Sequence, residues 1–302
     1  MFEAASELIR VPTPLQRLPE RWILDRGVEL WLKRDDLTHP LIQGNKWRKL
    51  KYNLLEAKRL GYQQLLTFGG AYSNHIAAVA AAGKFFGFKT IGIIRGEPTP
   101  QPSHTLLQAA QNGMAIHFMS RDHYRLKDEP GMVEDLAYQF GEFYALPEGG
   151  TNELALEGCR EMIDEIDVEF DVVACAVGTG GTSAGIWSEL NEGQHLHGFS
   201  ALKGTDTLSA HIGQLAQSRG VLKGSFQLHT DYHFGGYAKV TDELLQFMRY
   251  IHVHHRVMLD QVYTAKMLYG LYDLIRMECF PKGTRIVAIH TGGLQGNSHV
   301  IN

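Results

Sequence analysis

Three times along this 302-residue chain an apolar run ends in clustered glycines. Leu65-Leu66-Thr67-Phe68 stops at Gly69-Gly70, Val172 to Val177 stops at Gly178-Thr179-Gly180-Gly181-Thr182, and Ile286 to Ile289 precedes Thr291-Gly292-Gly293. A short apolar run without alternation is the mark of a strand buried on both faces, as in a parallel sheet. Amphipathic helical patterns lie between the runs, so the chain reads as α/β, with mostly parallel sheets and crossover helices. Ligands of such sheets bind outside the carboxyl ends of the strands, which makes the glycine turns the expected lining of a site between two domains. The length agrees with two domains at roughly 150 residues each.

Local signals fill in the elements. Val28 to Leu32 and Thr90 to Ile94 read as strands. Asn45 to Gly61 reads as a helix with Leu50, Leu54 and Ala57 on one face and a glycine stop. Ser73-Asn74 stand where a helix N-cap belongs, before HIAAVAAAGKFF, and a further helix is expected near Ser103. The charged run Arg121 to Glu129 is expected to be a solvated loop. His252, His254 and His255 form an HxHH cluster; alternate residues of a strand can bring imidazoles together by accident, so it reads as structural or surface rather than as a metal site.

Charge and cysteines exclude several functions. Lys+Arg 29 against Asp+Glu 33 gives a net charge of −4, leaving no basic footprint for nucleic acid. No stretch approaches the ~20 apolar residues that span a bilayer, and MFEAASELIRVPTP lacks the basic start and apolar run of a signal peptide. Cys159, Cys175 and Cys279 are odd in number and widely spaced, reading as reduced thiols of a cytoplasmic protein, with Cys175 a small core residue.

Two motifs carry chemistry. In VVACAVGTGGTSAGIWSEL a buried strand passes through glycines into a helix, turning several backbone N–H groups and the positive end of a helix dipole to one point, which suits a phosphate. The alternatives are a tight turn without ligand, or a dinucleotide fingerprint; the latter asks for an acid about 20 residues on. HGFSALKGT offers Lys203 there, disfavouring NAD and leaving NADP open. In KRDDLTHPLIQGNKWRKL, Lys46 is either a solvated surface lysine or a cation destabilised by Arg48, Lys49 and the helix start, hence a nucleophile near neutral pH that can form a Schiff base.

These residues carry a family resemblance. Lys33-Arg34-Asp35-Asp36-Leu37, Gly44-Asn45-Lys46-x-Arg48-Lys49-Leu50 and Gly70-Ala71-Tyr72-Ser73-Asn74-His75 resemble the 1-aminocyclopropane-1-carboxylate deaminase and D-cysteine desulfhydrase family. The order continues through Gly178 to Thr182, Leu259 to Lys266 and His290-Thr291-Gly292-Gly293. The resemblance implies a pyridoxal 5′-phosphate (PLP) enzyme of the tryptophan-synthase-β-like fold: a two-domain, three-layer αβα sandwich, with 1–48 and 149–302 as the large PLP-binding domain and 49–148 as the small one. It implies a homodimer acting on a small amino acid, with no metal. Lys46 would be the Schiff-base lysine and the base at Cα. Lys49 and the backbone of Gly178, Thr179, Gly180, Gly181 and Thr182 would hold the phosphate. Asn74 would bond the cofactor's 3′-oxygen, and Ser73, Asn74 and His75 the substrate carboxylate. Ser73, Tyr237 and Tyr263 match further catalytic positions, and Thr264 would face the pyridine nitrogen.

Thr264 separates the two activities. Deaminases of the family carry glutamate after the VY pair, whereas desulfhydrases resemble this chain in carrying threonine; a hydroxyl leaves the pyridine neutral and the ring a weaker electron sink. The expectation is therefore α,β-elimination, D-cysteine giving pyruvate, sulfide and ammonia, with 1-aminocyclopropane-1-carboxylate deamination as the alternative. Gln43 and Tyr72 depart from the family pattern beside the substrate pocket, so a PLP-binding protein without significant turnover is the alternative of another class.

Overall fold

The computed structural model describes residues 8–204 and 207–297; the first seven residues of the N-terminal segment analysed above lie outside them. Its strands are β1 (Leu15–Arg17), β2 (Glu29–Lys33), β3 (Gln64–Gly69), β4 (Lys89–Arg95), β5 (Met114–Met119), β6 (Tyr144–Leu146), β7 (Val172–Val177), β8 (His195–Ser200), β9 (Ser225–His229) and β10 (Arg285–Ile289). They form two sheets, β1-β2-β10-β7-β8-β9 and β5-β4-β3-β6. Among the described residues only the β1–β2 pair is antiparallel; β10 runs parallel between β2 and β7, with Ile286 opposite Leu30 and Val172.

Because side chains alternate along a strand, each central strand covers two cores. Val172, Ala174 and Ala176 of β7 face the helices Asp242–His255 and Thr264–Arg276, through Ile251, Leu268 and Leu271. Val173 and Cys175 face the other way, onto Cys159, Met162 and Ile186 of the helices Glu153–Asp164 and Gly181–Glu189. The result is three layers. In the smaller sheet Leu65 and Ile94 pack on the helix Asn74–Phe86, while Leu66, Phe68, Ile91 and Ile93 pack on Tyr124, Met132 and Leu136.

That packing corrects one expectation. The charged run from Arg121 is not a plain solvated loop: Ser120 caps a short helix, Arg121–Tyr124, and Tyr124 is 3% exposed beneath β3 and β4. One aromatic among charges is enough to dock the segment, since the ring buries a large apolar area while its neighbours stay in water. The histidine cluster is also helical, on Asp242–His255, where His255 Nε2 lies 2.8 Å from Glu20 Oε1. The lysine helix is Asn45–Arg59, with Gly61 in the left-handed region just beyond it, and Ser103 caps His104–Gln111.

Candidate active site

The carboxyl ends of β3, β7 and β10 open onto one cleft of about 510 Å³, between the two sheets. Lys46, Lys49, Ser73, Asn74, His75, Gly178, Thr179, Gly180, Thr182, Tyr237 and Tyr263 line it, as do Thr291, Gly292 and Gly293. Gly181 and Thr264 do not. Gly181 starts the helix behind the glycine turn, where an added Cβ would lie 3.1 Å from Lys49 Nζ. Thr264 is fully buried, its hydroxyl accepting from Asp260 N at 2.8 Å and 3.2 Å from Asp260 Oδ1.

Lys46 stands in the first turn of its helix, with its amine bonded to Asn45 Oδ1 at 2.9 Å; Asn45 Nδ2 in turn donates to Thr182 Oγ1 at 2.9 Å. Burial, and after it the charge of Lys49, brings the Lys46 amine down from the ordinary lysine range to about 7. Lys46 is half-buried and lines the cleft, which favours the nucleophile reading over the solvated one. The helix itself is anchored by Arg48, whose guanidinium reaches both Asp35 oxygens at 3.0 Å and both Glu165 oxygens at 2.5 and 2.8 Å. Lys33 Nζ meets Glu165 at 2.7 Å in the same buried network. A lysine helix pinned on its far side by paired charges presents Lys46 and Lys49 to the cleft.

Lys49 supplies the test of a phosphate. Lys49 is 3% exposed, and among the described residues its ammonium bonds only neutral oxygens: Gly149 O at 2.9 Å, Thr151 Oγ1 at 3.0 Å and Thr179 Oγ1 at 3.4 Å. Burial lowers its proton affinity. A buried cation with polar but uncharged partners, beside the start of the helix Gly181–Glu189, which has no side-chain cap among the described residues, is a seat for an anion. The donor set fits PLP: a near-neutral amine on Lys46, and an anion cradle made by Lys49 and the Gly178–Thr182 turn.

The remaining walls are aromatic and polar. Tyr237 and Tyr263 meet edge to face with centroids 6.1 Å apart. Burial raises both phenols, Tyr263 well above its ordinary value, so both stay protonated. Ser73 caps the helix Asn74–Phe86, its Oγ accepting from His75 N at 3.2 Å and Ile76 N at 3.3 Å. The His75 ring turns away to Thr67 Oγ1, 2.9 Å from Nε2, and burial holds it neutral. Because the Thr67 hydroxyl donates to Leu146 O, the ring bears its hydrogen on Nε2 and offers no side-chain donor to a carboxylate.

Several participants escaped the sequence reading. Gly149-Gly150-Thr151 follows β6 and carries two of the three Lys49 acceptors; it is a fourth glycine cluster after a strand, the same signal as the other three. Arg95, at the end of β4, and Glu148 also line the cleft. Gln43 takes a structural part, its Oε1 accepting from Gly293 N at 3.1 Å and Leu294 N at 3.0 Å, whereas Tyr72 is exposed at the rim.

Comparison with known proteins agrees with this geometry. The family model "Pyridoxal-phosphate dependent enzyme" matches residues 7–292. A Pyrococcus horikoshii protein with a provisional 1-aminocyclopropane-1-carboxylate deaminase name is 33% identical, over 97% of this chain and 93% of that one. The bifunctional D-cysteine desulfhydrase/1-aminocyclopropane-1-carboxylate deaminase of Arabidopsis thaliana is 32% identical, over 96% and 78%. A crystal structure of an ACC deaminase homologue superposes with a TM-score of 0.82 at 31% identity, covering 96% of this chain and 92% of that one. Buried lysine, anion cradle, fold and relatives converge: the chain belongs to the PLP-dependent enzymes, in the 1-aminocyclopropane-1-carboxylate deaminase and D-cysteine desulfhydrase family, with its tryptophan-synthase-β-like fold.

Proposed function

We propose that the chain is a D-cysteine desulfhydrase, converting D-cysteine and water to pyruvate, hydrogen sulfide and ammonia. The observation that carries the reading is Lys46, a half-buried lysine lining the cleft between the sheets, its amine brought down to about 7. PLP, when bound, supplies an electron sink for the charge left at Cα. Lys46 Nζ takes the Cα proton, being uncharged above about pH 7. Lys49 and the Gly178–Thr182 turn hold the phosphate, and Asn74 donates to the 3′-oxygen. The substrate carboxylate sits at the start of the Asn74–Phe86 helix, held by the Ser73 hydroxyl hydrogen and the Asn74 N–H, the next two N–H groups being taken by Ser73 Oγ. Tyr237 and Tyr263 present protonated phenols to the departing sulfur.

By the family resemblance, threonine rather than glutamate at position 264 supports elimination over ring opening, although Thr264 itself is buried behind the cleft wall. The segment after Tyr263 offers a hydroxyl, itself engaged by the Asp260 turn, and the cleft's one carboxylate among the described lining residues is Glu148. The names of the Pyrococcus relatives favour a second reading, 1-aminocyclopropane-1-carboxylate deamination, while the Arabidopsis relative is named for both activities. The two are separated by assaying sulfide, pyruvate and 2-oxobutanoate from PLP-loaded protein given D-cysteine, L-cysteine, D-serine or 1-aminocyclopropane-1-carboxylate. Sulfide and pyruvate from D-cysteine are expected; 2-oxobutanoate as the dominant product would reverse the assignment, and no product from any would leave a PLP-binding protein.

The division into 1–48 with 149–302 and 49–148 is supported by the two sheets, whose strands fall on either side of it. A cytoplasmic location is supported by the free Cys159, Cys175 and Cys279, and the homodimer by the family resemblance alone. Among the described residues no helix is long and apolar enough to cross a membrane.

A further inference from the structure

We propose that Gln295 is a positioning residue that decides which end of the Asn74 amide faces the cofactor. This rests on the reading that PLP binds in the cleft. An asparagine amide presents an acceptor at one end and a donor at the other, and the two ends have nearly the same shape. Only the donor end can serve an anionic oxygen, so something must fix the orientation.

The structure contains a hydrogen-bond chain that does so. Gln295 lies in the turn Leu294–Asn297, after Gly293. Its backbone oxygen can only accept, so His104 Nε2, 2.7 Å away, carries a hydrogen. The Thr105 hydroxyl lies 3.3 Å from that N–H and accepts there, which leaves its own hydrogen for Gln295 Oε1 at 3.2 Å. With Oε1 occupied, Gln295 turns Nε2 to Asn74 and donates to its Oδ1. Asn74 Nδ2 is then the end left for a ligand, with no acceptor among the described residues. It lies against Gly293, where an added Cβ would come within 2.9 Å of it, on the same cleft wall as Lys46.

The chain joins two parts of the fold. His104 and Thr105 begin the helix that precedes β5, Asn74 begins the helix after β3, and Gln295 comes from the segment after β10. A donor to the cofactor's phenolic oxygen favours the form in which that oxygen is more negative, so it lowers the pH at which the bound chromophore titrates. Loosening the Asn74 amide should raise that pH.

The test uses PLP-loaded wild-type protein, Gln295→Leu and Thr105→Val. Neither substitution changes charge, so neither acts through a new field. The readouts are the pH midpoint of the visible absorption band and, on the apo-proteins, PLP binding followed by tryptophan fluorescence. Gln295→Leu is expected to titrate about half a pH unit higher and to hold PLP about threefold more weakly, the loss of one modest hydrogen bond. Thr105→Val should move the midpoint the same way by less, and it decides the matter if Gln295→Leu does not fold. Wild-type midpoints in the folded variants, with only a lower melting temperature, would make Gln295 a structural contact and overturn the proposal. A wild-type protein that gains no visible band with PLP would overturn it together with the reading beneath it.

Discussion

Lys46 illustrates how much a single residue owes to its setting. Its position at a helix start among cations was legible in the sequence; the largest cause of its lowered proton affinity, burial, was not, because burial depends on how 44–49 meets the turns at 149–151 and 178–182. Lys46→Ala should abolish turnover, by a factor on the order of 10³ or more, as for loss of a base and attachment point; residual activity above a tenth of wild type by sulfide assay would exclude the role. The rate at which apo-protein combines with PLP should climb with pH through about 7 and level off above it, because the amine then has no proton to shed. Thr264→Glu should raise 1-aminocyclopropane-1-carboxylate turnover relative to D-cysteine elimination, and an unchanged ratio of the two kcat/KM values would remove Thr264 as the discriminator. The roles of Ser73 and His75 were legible only in part: Ser73 is the cap its sequence context announces, but the His75 ring belongs to Thr67, a partner in β3 that no local pattern reveals.

Among the elements, the lysine helix Asn45–Arg59 is set by its crossing with Glu153–Asp164. The two backbones approach so closely at Gly158 that an added Cβ would stand 1.9 Å from Arg48 O. Gly158→Ala must push the helices apart, at a cost of about 1–3 kcal/mol for overpacking or more, and should weaken PLP binding because Lys46 and Lys49 ride on the displaced helix. A melting temperature and PLP affinity equal to wild type would show that the crossing does not set the site. The buried runs β3, β7 and β10 were readable because both faces are apolar. Strand β5 was not: Met114-Ala115-Ile116-His117-Phe118-Met119 lies at the edge of its sheet, half in water, with a histidine at its centre. The Tyr124 helix was missed for the converse reason, a charged segment being docked by one ring.

Across the whole molecule, two carboxylates tie distant parts of the chain together. Burial pushes Glu20 up, but hydrogen bonds from His255, Tyr272, Tyr250 and Trp22 outweigh it and hold the group at about 2; Glu165 is likewise held at about 2 by Arg48 and Lys33 against its burial. Both sit below their unfolded value of 4.5, so their stabilisation is complete above that pH and is lost as pH falls from about 4.5 toward 2. The urea midpoint should fall over that window, and Glu20→Gln should flatten the fall; a midpoint independent of pH between about 5 and 3 would contradict this. The α/β architecture and the convergence of glycine turns were legible from strand ends alone, because the carboxyl edge of a parallel sheet collects its loops on one side. The partners of Lys49 at Gly149 and Thr151, and of Asn74 at Gln295, became visible only when segments far apart in sequence met at that edge. The central claim is that Lys46 in this cleft carries the cofactor. Borohydride reduction of PLP-loaded protein, followed by peptide mass mapping, tests it most directly: the phosphopyridoxyl group should be found on Lys46, and its recovery on Lys49, on Lys266 or on no lysine would contradict the account.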